Sequence, residues 1–129
     1  MAVSRKKSRE IVFRMLFPLG FEDSGQAELF ELASNEETPV GPEREYIDNL
    51  YKSAIDNMDE INKVLAEKLE GFTIDRVFKT DLAAIRLGIA EIKYTKTDKK
   101  VVLSECVEIA KKYGTDKSGS FVNGVLAKV

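Results

Sequence analysis

The sequence predicts an all-α chain of about seven helices. Apolar residues recur at intervals of three and four positions over most of its length, which is the period of an amphipathic helix. No segment shows the alternation of apolar and polar residues that predicts a β-strand. Residues that break helices gather around residues 34–42 and, more weakly, around residues 70–72. We expect both places to be connections between helices and not linkers between domains.

Three apolar stripes mark the helices in the earlier part of the chain. Each stripe places its apolar side chains on one side of a helix, which gives that helix a face for burial. The stripes consist of Ile11, Val12, Met15, Leu16 and Leu19; of Ile47, Leu50, Tyr51, Ala54, Ile55 and Met58; and of Leu82, Ile85, Ile89 and Ile92. Thr80 can cap the third helix, with Asp81 in its first turn, where the helix dipole favours a negative charge.

The C-terminal part predicts two more helices. Their apolar stripes are Val102, Cys106, Ile109 and Tyr113, and then Phe121, Val122, Val125, Leu126 and Val129. Gly114 can end the first of them in a left-handed conformation, and Ser118 can cap the second after a loop. Asn123 and Gly124 would suit a hairpin turn, but their neighbours repeat with the helical period. We therefore predict a helix there.

Length and composition indicate a single domain over residues 1–129, large enough to bury a core. No apolar run approaches the roughly 20 residues that span a bilayer. Arg14 interrupts the apolar segment near the N-terminus and no small-residue cleavage site follows, so a signal peptide is disfavoured. The one cysteine cannot form an internal disulfide, which agrees with a reducing compartment. We expect a cytoplasmic protein that does not contact a membrane.

Charge is distributed unevenly along the chain. Residues 1–14 contain five basic residues and one acidic residue, and residues 22–60 contain twelve acidic and two basic residues. Residues 93–129 contain eight basic and four acidic residues. This pattern indicates two contact surfaces, because the basic ends suit phosphate groups and the acidic middle does not. Alternatively, these charges form a solvated surface that serves only solubility.

Few residues suit catalysis or metal binding. The chain has no histidine, the commonest general base and metal ligand, and one cysteine cannot form a zinc cluster. Cys106 lies on an apolar stripe, so we predict a buried, unreactive thiol. The glycines form no phosphate-binding loop. The sequence therefore predicts a protein that is not an enzyme and needs no metal or cofactor.

The predicted N-terminal helix combines basic and aromatic residues. Those that share one arc of about 80° on a helical projection are Lys6, Arg9, Phe13 and Phe17. Such combinations bind single-stranded RNA, because cations neutralise phosphates while aromatic rings stack on bases. Alternatively, Phe13 and Phe17 belong to the core and the lysines form an unstructured start.

Several segments carry a resemblance to a known family. Residues 101–105, 108–114 and 121–126 contain, in order, a Val-Val pair, a Glu-x-Ala-Lys helix that ends in glycine, and the sequence Phe-Val-Asn-Gly-Val-Leu. Residues 5–10 form a basic opening, and residues 81–91 read DLAAIRLGIAE. In this order, and over nearly the whole chain, the segments resemble the NusB family.

The resemblance implies a fold, a function and contact residues. NusB proteins consist of two small helical bundles packed along a shared core. They bind boxA-type RNA together with the ribosomal protein NusE in antitermination complexes, a form of the transcription elongation complex, without nucleotide or metal. The implied RNA contacts are Arg5, Lys6, Lys7, Arg9 and Phe121, with Lys111 and Lys112 extending the basic surface. The implied partner contacts are Phe17 and Asp81.

The chain departs from the family pattern at Phe17, where tyrosine is usual, and at Pro18, where a polar residue is usual. Asp98 replaces a common proline, and Lys117 stands where some relatives carry an acid. These departures concern partner affinity more than the fold. Two other functions stay open: an RNA-binding module of the kind that begins certain ribosomal RNA methyltransferases, and a helical adaptor that binds only protein.

Overall fold

The structure is a computed structural model that describes residues 4–20, 41–71 and 73–129. These residues form six α-helices and two short 3₁₀ turns, and they contain no strand. The helices are α1 (Arg5–Leu16), α2 (Pro42–Asp56), α3 (Met58–Lys68), α4 (Lys79–Tyr94), α5 (Lys99–Tyr113) and α6 (Ser118–Ala127). The 3₁₀ turns are Phe17–Gly20 and Ile74–Arg76. The predicted all-helical fold is confirmed, while most of the connection predicted at residues 34–42 lies outside the described residues.

The central element is α4, which packs against each of the other described helices. Every residue from 81 to 91 is buried. The predicted stripe therefore covered too small a part of the buried surface of this helix. A helix that lies between two layers is buried on all sides and not on one face. Small residues make this packing close: a Cβ atom on Gly88 would lie 2.6 Å from Leu126 Cδ1. Glycine at this position thus lets α6 approach α4.

Two groups of helices pack on α4. On one side, α1 packs on α2 and α2 packs on α3; on the other side, α5 and α6 pack on each other. The two groups share the side chains of α4, so they form two small bundles along one core. This is the arrangement that the family resemblance implies.

The predicted stripes supply most of this core. Their fully buried members include Val12, Leu16, Ile85, Ile89 and Val122, whereas Ile55 on α2 is 39% exposed. Asn123 and Gly124 lie exposed within α6, which confirms the helix and excludes the hairpin. None of the described helices combines the length and the apolar character needed to cross a membrane.

Two helices begin earlier than the predicted caps. Thr80 lies inside α4, whose N-cap is Phe78, and the Thr80 hydroxyl is buried without a hydrogen-bond partner among the described residues. Ser118 is the first residue of α6, and its hydroxyl accepts a hydrogen bond of 2.9 Å from the Thr115 backbone N–H. The Ser118 side chain thus stabilises the loop before α6 instead of capping the helix.

The glycines that end helices act in two different ways. Gly71, after α3, has φ of +85°, a left-handed conformation that favours glycine. Gly114, after α5, has φ of −102°, so the predicted left-handed cap is wrong. Space explains the glycine there, because a Cβ atom on Gly114 would lie 2.8 Å from the Ala110 carbonyl oxygen.

Candidate nucleic-acid interface

Charged side chains of α1 and α5 meet in a small cleft between the two helices. Its lining consists of Lys6, Arg9, Glu10, Glu105, Glu108, Ile109 and Lys112. Helical spacing brings these groups together, because residues three or four positions apart share a helix face. The cleft therefore unites three of the predicted RNA contacts, Lys6, Arg9 and Lys112, although about a hundred residues separate the first two from the third in sequence.

The two lysines of the cleft are exposed and paired with glutamates of the other helix. The Lys6 side chain is 64% exposed, and its ammonium donates a hydrogen bond to the Glu108 carboxylate. The Lys112 side chain is 60% exposed, with Nζ 2.6 Å from Glu10 Oε1. The hydrogen bond from Lys6 lowers the pKa of Glu108.

Glu10 is the buried member of these pairs. Its Oε1 accepts hydrogen bonds from Lys112 and from the Tyr113 hydroxyl. Burial by itself raises the pKa of Glu10, but the hydrogen bonds from Lys112 and Tyr113 outweigh it, so the pKa lies below its usual value. Glu10 therefore stays ionised at neutral pH.

Arg5 lies beside the first turn of α2. Its guanidinium donates two hydrogen bonds, of 3.0 and 3.2 Å, to the Glu43 carboxylate and lies 3.9 Å from the centre of the Tyr46 ring. The Ser8 hydroxyl donates a third hydrogen bond to Glu43. The bond from Arg5, followed by that from Ser8, lowers the pKa of Glu43. Lys7 lies half-buried on the same helix.

Arg9 is the predicted RNA contact that the structure buries. Only 4% of the residue is exposed, and its guanidinium donates hydrogen bonds of 2.8–3.0 Å to both oxygens of Glu91. Its Nη1 also lies 3.5 Å from Glu105 Oε1. The Tyr46 hydroxyl donates to Glu91 as well, at 2.8 Å. A fully buried carboxylate requires such partners, so Arg9 stabilises the core through Glu91.

Phe13, the aromatic residue of α1, is not part of the predicted stacking surface. Phe13 is 2% exposed, and its ring centre lies 4.9 Å from that of Tyr113. The alternative in which Phe13 belongs to the core is therefore correct. Phe17 lies half-buried in the 3₁₀ turn after α1.

The remaining predicted RNA contacts lie on α5 and α6, outside the lining of the cleft. Lys111 is exposed, and its aliphatic part packs so closely on Gly119 that a Cβ atom there would lie 2.9 Å from Lys111 Cε. Phe121 is half-buried on α6. Both residues therefore lie outside the lining of the cleft, and their roles as RNA contacts stay predictions.

The predicted partner contacts lie at the start of α4, where the 3₁₀ turn containing Phe17 packs against this helix. Asp81 is 6% exposed, and its Oδ1 atom has no hydrogen-bond partner among the described residues. Burial raises the pKa of Asp81, with a smaller opposing effect from Ser118. Nearby, Phe78 is 56% exposed, a high value for a large apolar side chain. Sequence reasoning missed Phe78, because no apolar stripe includes it.

Sequence reasoning also missed the glutamates that pair with the basic residues. Glu91 gave a signal: a single acid at the end of a long apolar segment needs a buried cation. A second signal was the spacing of Glu105, Glu108 and Lys112, which places these charged residues on one face of a helix. Glu43 gave none, because 38 residues separate it from Arg5.

Comparison with known proteins supports the resemblance. The NusB family model matches residues 6–129. The transcription antitermination protein NusB of Agathobacter rectalis is 47% identical, with 98% of each chain covered. The solved structure of T. maritima NusB is 30% identical, with a TM-score of 0.88 over 99% of this chain and 91% of that one.

A further solved structure contains the antitermination factors NusB and NusE in complex with dsRNA. Its matching chain is 31% identical to this one, with a TM-score of 0.83 over 96% of this chain and 93% of that chain. Family match, sequence identity and fold agree over nearly the whole length. The chain belongs to the NusB family.

Proposed function

We propose that this protein is an RNA-binding transcription antitermination factor that binds boxA-type RNA together with ribosomal protein NusE in ribosomal RNA transcription complexes. The observation that carries this proposal is the cleft between α1 and α5, where exposed lysines from two distant parts of the chain converge. Convergent cations attract the phosphates of a single strand. The solved complex of a related NusB with NusE and dsRNA supports both partners.

The proposed RNA surface consists of Arg5, Lys6, Lys7, Lys111, Lys112 and Phe121. Arg9 is assigned a different role, as a positioning residue. Its buried bonds to Glu91 and its part-buried contact with Glu105 connect α1 with α4 and α5, which carry those glutamates. It thereby holds Lys6, one turn away, at the edge of the cleft.

The proposed surface for NusE consists of Phe17, Phe78 and Asp81. Phe78 offers exposed apolar area, and a donor from the partner would satisfy the Oδ1 atom of Asp81. This surface lies at the start of α4, apart from the cleft lining, so both ligands can bind together. Cooperative binding would then be reciprocal between RNA and partner.

No catalytic step enters this function. The chain has no histidine, and Cys106 is fully buried, with burial raising the pKa of its thiol. A buried, protonated thiol is a poor nucleophile. The proposed factor is therefore not an enzyme, needs no cofactor, and acts in the cytoplasm, where transcription takes place in bacteria.

The test is a filter-binding titration of boxA-like RNA against a scrambled RNA of equal length, with and without NusE. The Lys6→Ala/Lys112→Ala variant should bind RNA more weakly and lower the slope of log affinity against log salt by about 1.4, for two lost single-strand contacts. Lys63→Ala/Lys96→Ala removes two exposed lysines outside the cleft and should leave the slope unchanged. Equal slopes for both variants and wild type would refute the RNA surface, and wild type that binds NusE but no RNA would indicate a protein adaptor.

A further inference from the structure

Three basic residues of the proposed RNA surface, together with the positioning residue Arg9, share one property that RNA binding does not require. The structure pairs four of the predicted RNA contacts with glutamates of the same chain. The pairs are Arg5 with Glu43, Lys6 with Glu108, Arg9 with Glu91, and Lys112 with Glu10. The basic surface is therefore partly neutralised by its own chain.

The exposed fraction of the side chains distinguishes one structural ion pair from the ion pairs in which another anion can replace the glutamate. The side chains of Arg9 and Glu91 are 5% and 0% exposed, so this pair is part of the core. Those of Lys6 and Glu108 are 64% and 51% exposed, and those of Arg5 and Glu43 are 46% and 20% exposed. Exposed pairs contribute little to stability and are screened by salt. Arg5 and Lys6 can therefore leave these glutamates without unfolding the protein, while Glu43 keeps its hydrogen bond from the buried Ser8.

These two glutamates accept hydrogen bonds from donors that a phosphate would also use. A carboxylate that accepts two parallel hydrogen bonds from a guanidinium, as Glu43 does from Arg5, makes the same contact as a phosphate. Any RNA strand that reaches Arg5 or Lys6 must displace the glutamate and approach its negative charge. Contacts to phosphate are common to all RNA sequences, whereas stacking and base contacts are not.

We propose that Glu43 and Glu108 are specificity-determining residues, which mask the basic surface against RNA that offers only phosphates. This inference rests on the proposed function and adds a regulation of the same site. An RNA held by base contacts depends less on Arg5 and Lys6, so masking costs it less affinity than it costs an RNA held only by its phosphates. Discrimination then comes partly from a repulsive element in the protein.

The test compares Glu43→Gln/Glu108→Gln with wild type in the same titration of boxA-like and scrambled RNA. Glutamine keeps the size of each side chain and removes its charge. The variant should bind scrambled RNA about tenfold more tightly and boxA-like RNA less than threefold more tightly, so that the affinity ratio falls at least threefold. Its salt slope for scrambled RNA should steepen by about 1.4, for two restored phosphate contacts.

The matched control is Glu60→Gln/Glu67→Gln, which removes two charges from exposed glutamates of α3, outside the cleft lining. It should leave the affinity ratio at the wild-type value. An unchanged ratio in the Glu43→Gln/Glu108→Gln variant, or one that changes equally in the control, overturns the proposal. So does tighter binding of both RNAs by the same factor, since masking without discrimination is only a charge effect. The melting temperature of each variant verifies folding, and Glu43→Gln alone repeats the test with a single change.

Failure of the proposed function gives a different result. Wild type that binds neither RNA, or binds both equally with and without NusE, refutes the antitermination role whatever the variants do. If the doubly substituted protein then also binds neither RNA, the masking proposal fails with it.

Discussion

Two regions of the molecule, the α1–α5 cleft and the N-terminal end of α4, each contain a buried carboxylate. The environments of these two carboxylates are opposite. In the cleft, Glu10 accepts hydrogen bonds from Lys112 and Tyr113, which lower its pKa despite burial. At the start of α4, Asp81 is as deeply buried, but its Oδ1 atom has no hydrogen-bond partner among the described residues, and burial raises its pKa. The net effect of the surrounding chain thus favours the anionic form of Glu10 and disfavours that of Asp81.

This difference indicates two modes of binding. A ligand of the cleft exchanges existing ion pairs for new ones, so its net gain is small and depends on salt. A ligand at the start of α4 instead supplies a bond that the protein lacks, and an unsatisfied buried acceptor costs about 1–3 kcal/mol. We therefore expect the affinity for RNA to be selective and to depend on salt. The affinity for the protein partner should depend on salt less than the affinity for RNA does.

The largest expected effect concerns the pair that anchors the cleft. Arg9→Ala leaves Glu91 charged and buried without its main partner, which should lower the free energy of unfolding by about 3–5 kcal/mol. Urea denaturation measures this. Arg44→Ala is the matched control, because Arg44 forms an exposed pair with Asp48, and it should cost at most about 0.5 kcal/mol. Similar losses in the two variants would show that the Arg9–Glu91 pair is not structural.

The next effect concerns the partner surface. Phe78→Ala removes a 56% exposed ring and should weaken binding of NusE about tenfold, while RNA affinity in the absence of NusE stays constant. Isothermal titration with NusE and with RNA measures the two affinities separately. Ile55→Ala truncates another exposed apolar side chain, on α2, and should change neither affinity. Partner binding that is equally strong in both variants would place the NusE surface elsewhere.

A smaller effect concerns Glu10 and pH. Glu10→Gln should lower the stability at pH 7 by about 1 kcal/mol, because the amide cannot replace the charge-assisted bonds from Lys112 and Tyr113. The lowered pKa of Glu10 means that its contribution is present above the unfolded pKa of about 4.5 and is lost as pH falls below it. The melting temperatures of variant and wild type should therefore converge between about pH 5 and pH 3. A constant difference over this range would contradict the assignment.

The smallest effect, opposite in sign, concerns Asp81. Because its pKa is raised in the folded protein, the charged form of Asp81 lowers stability, and this loss appears as pH rises above the unfolded pKa of 3.8. Asp81→Asn should thus be as stable as wild type at low pH and more stable at pH 7, by less than about 1 kcal/mol. Melting temperatures at pH 3 and pH 7 measure the change. A variant that is less stable only at pH 7 would show that Asp81 has a cationic partner.

The spacing of apolar residues was sufficient to predict the helices, because a buried face needs only the right period. It also predicted correctly that Val12, Ile85, Val122 and Cys106 are buried. It could not give helix starts to the residue, since Thr80 and Ser118 suit a cap but the packing of α4 and α6 placed both inside a helix. Local preferences are worth about 1 kcal/mol, and tertiary contacts override them.

For the candidate site, too, some features could be predicted from the sequence and others depended on tertiary packing. By itself the sequence determined that basic residues open the chain and return near its end, and its motifs indicated the NusB family. Only the tertiary structure decided that Lys6 and Lys112 share a cleft, that Arg9 faces Glu91 in the core, and that glutamates neutralise part of the basic surface. The physical reason is that charge and hydropathy are properties of single residues, whereas desolvation and pairing depend on which groups the fold brings within about 3–4 Å of each other.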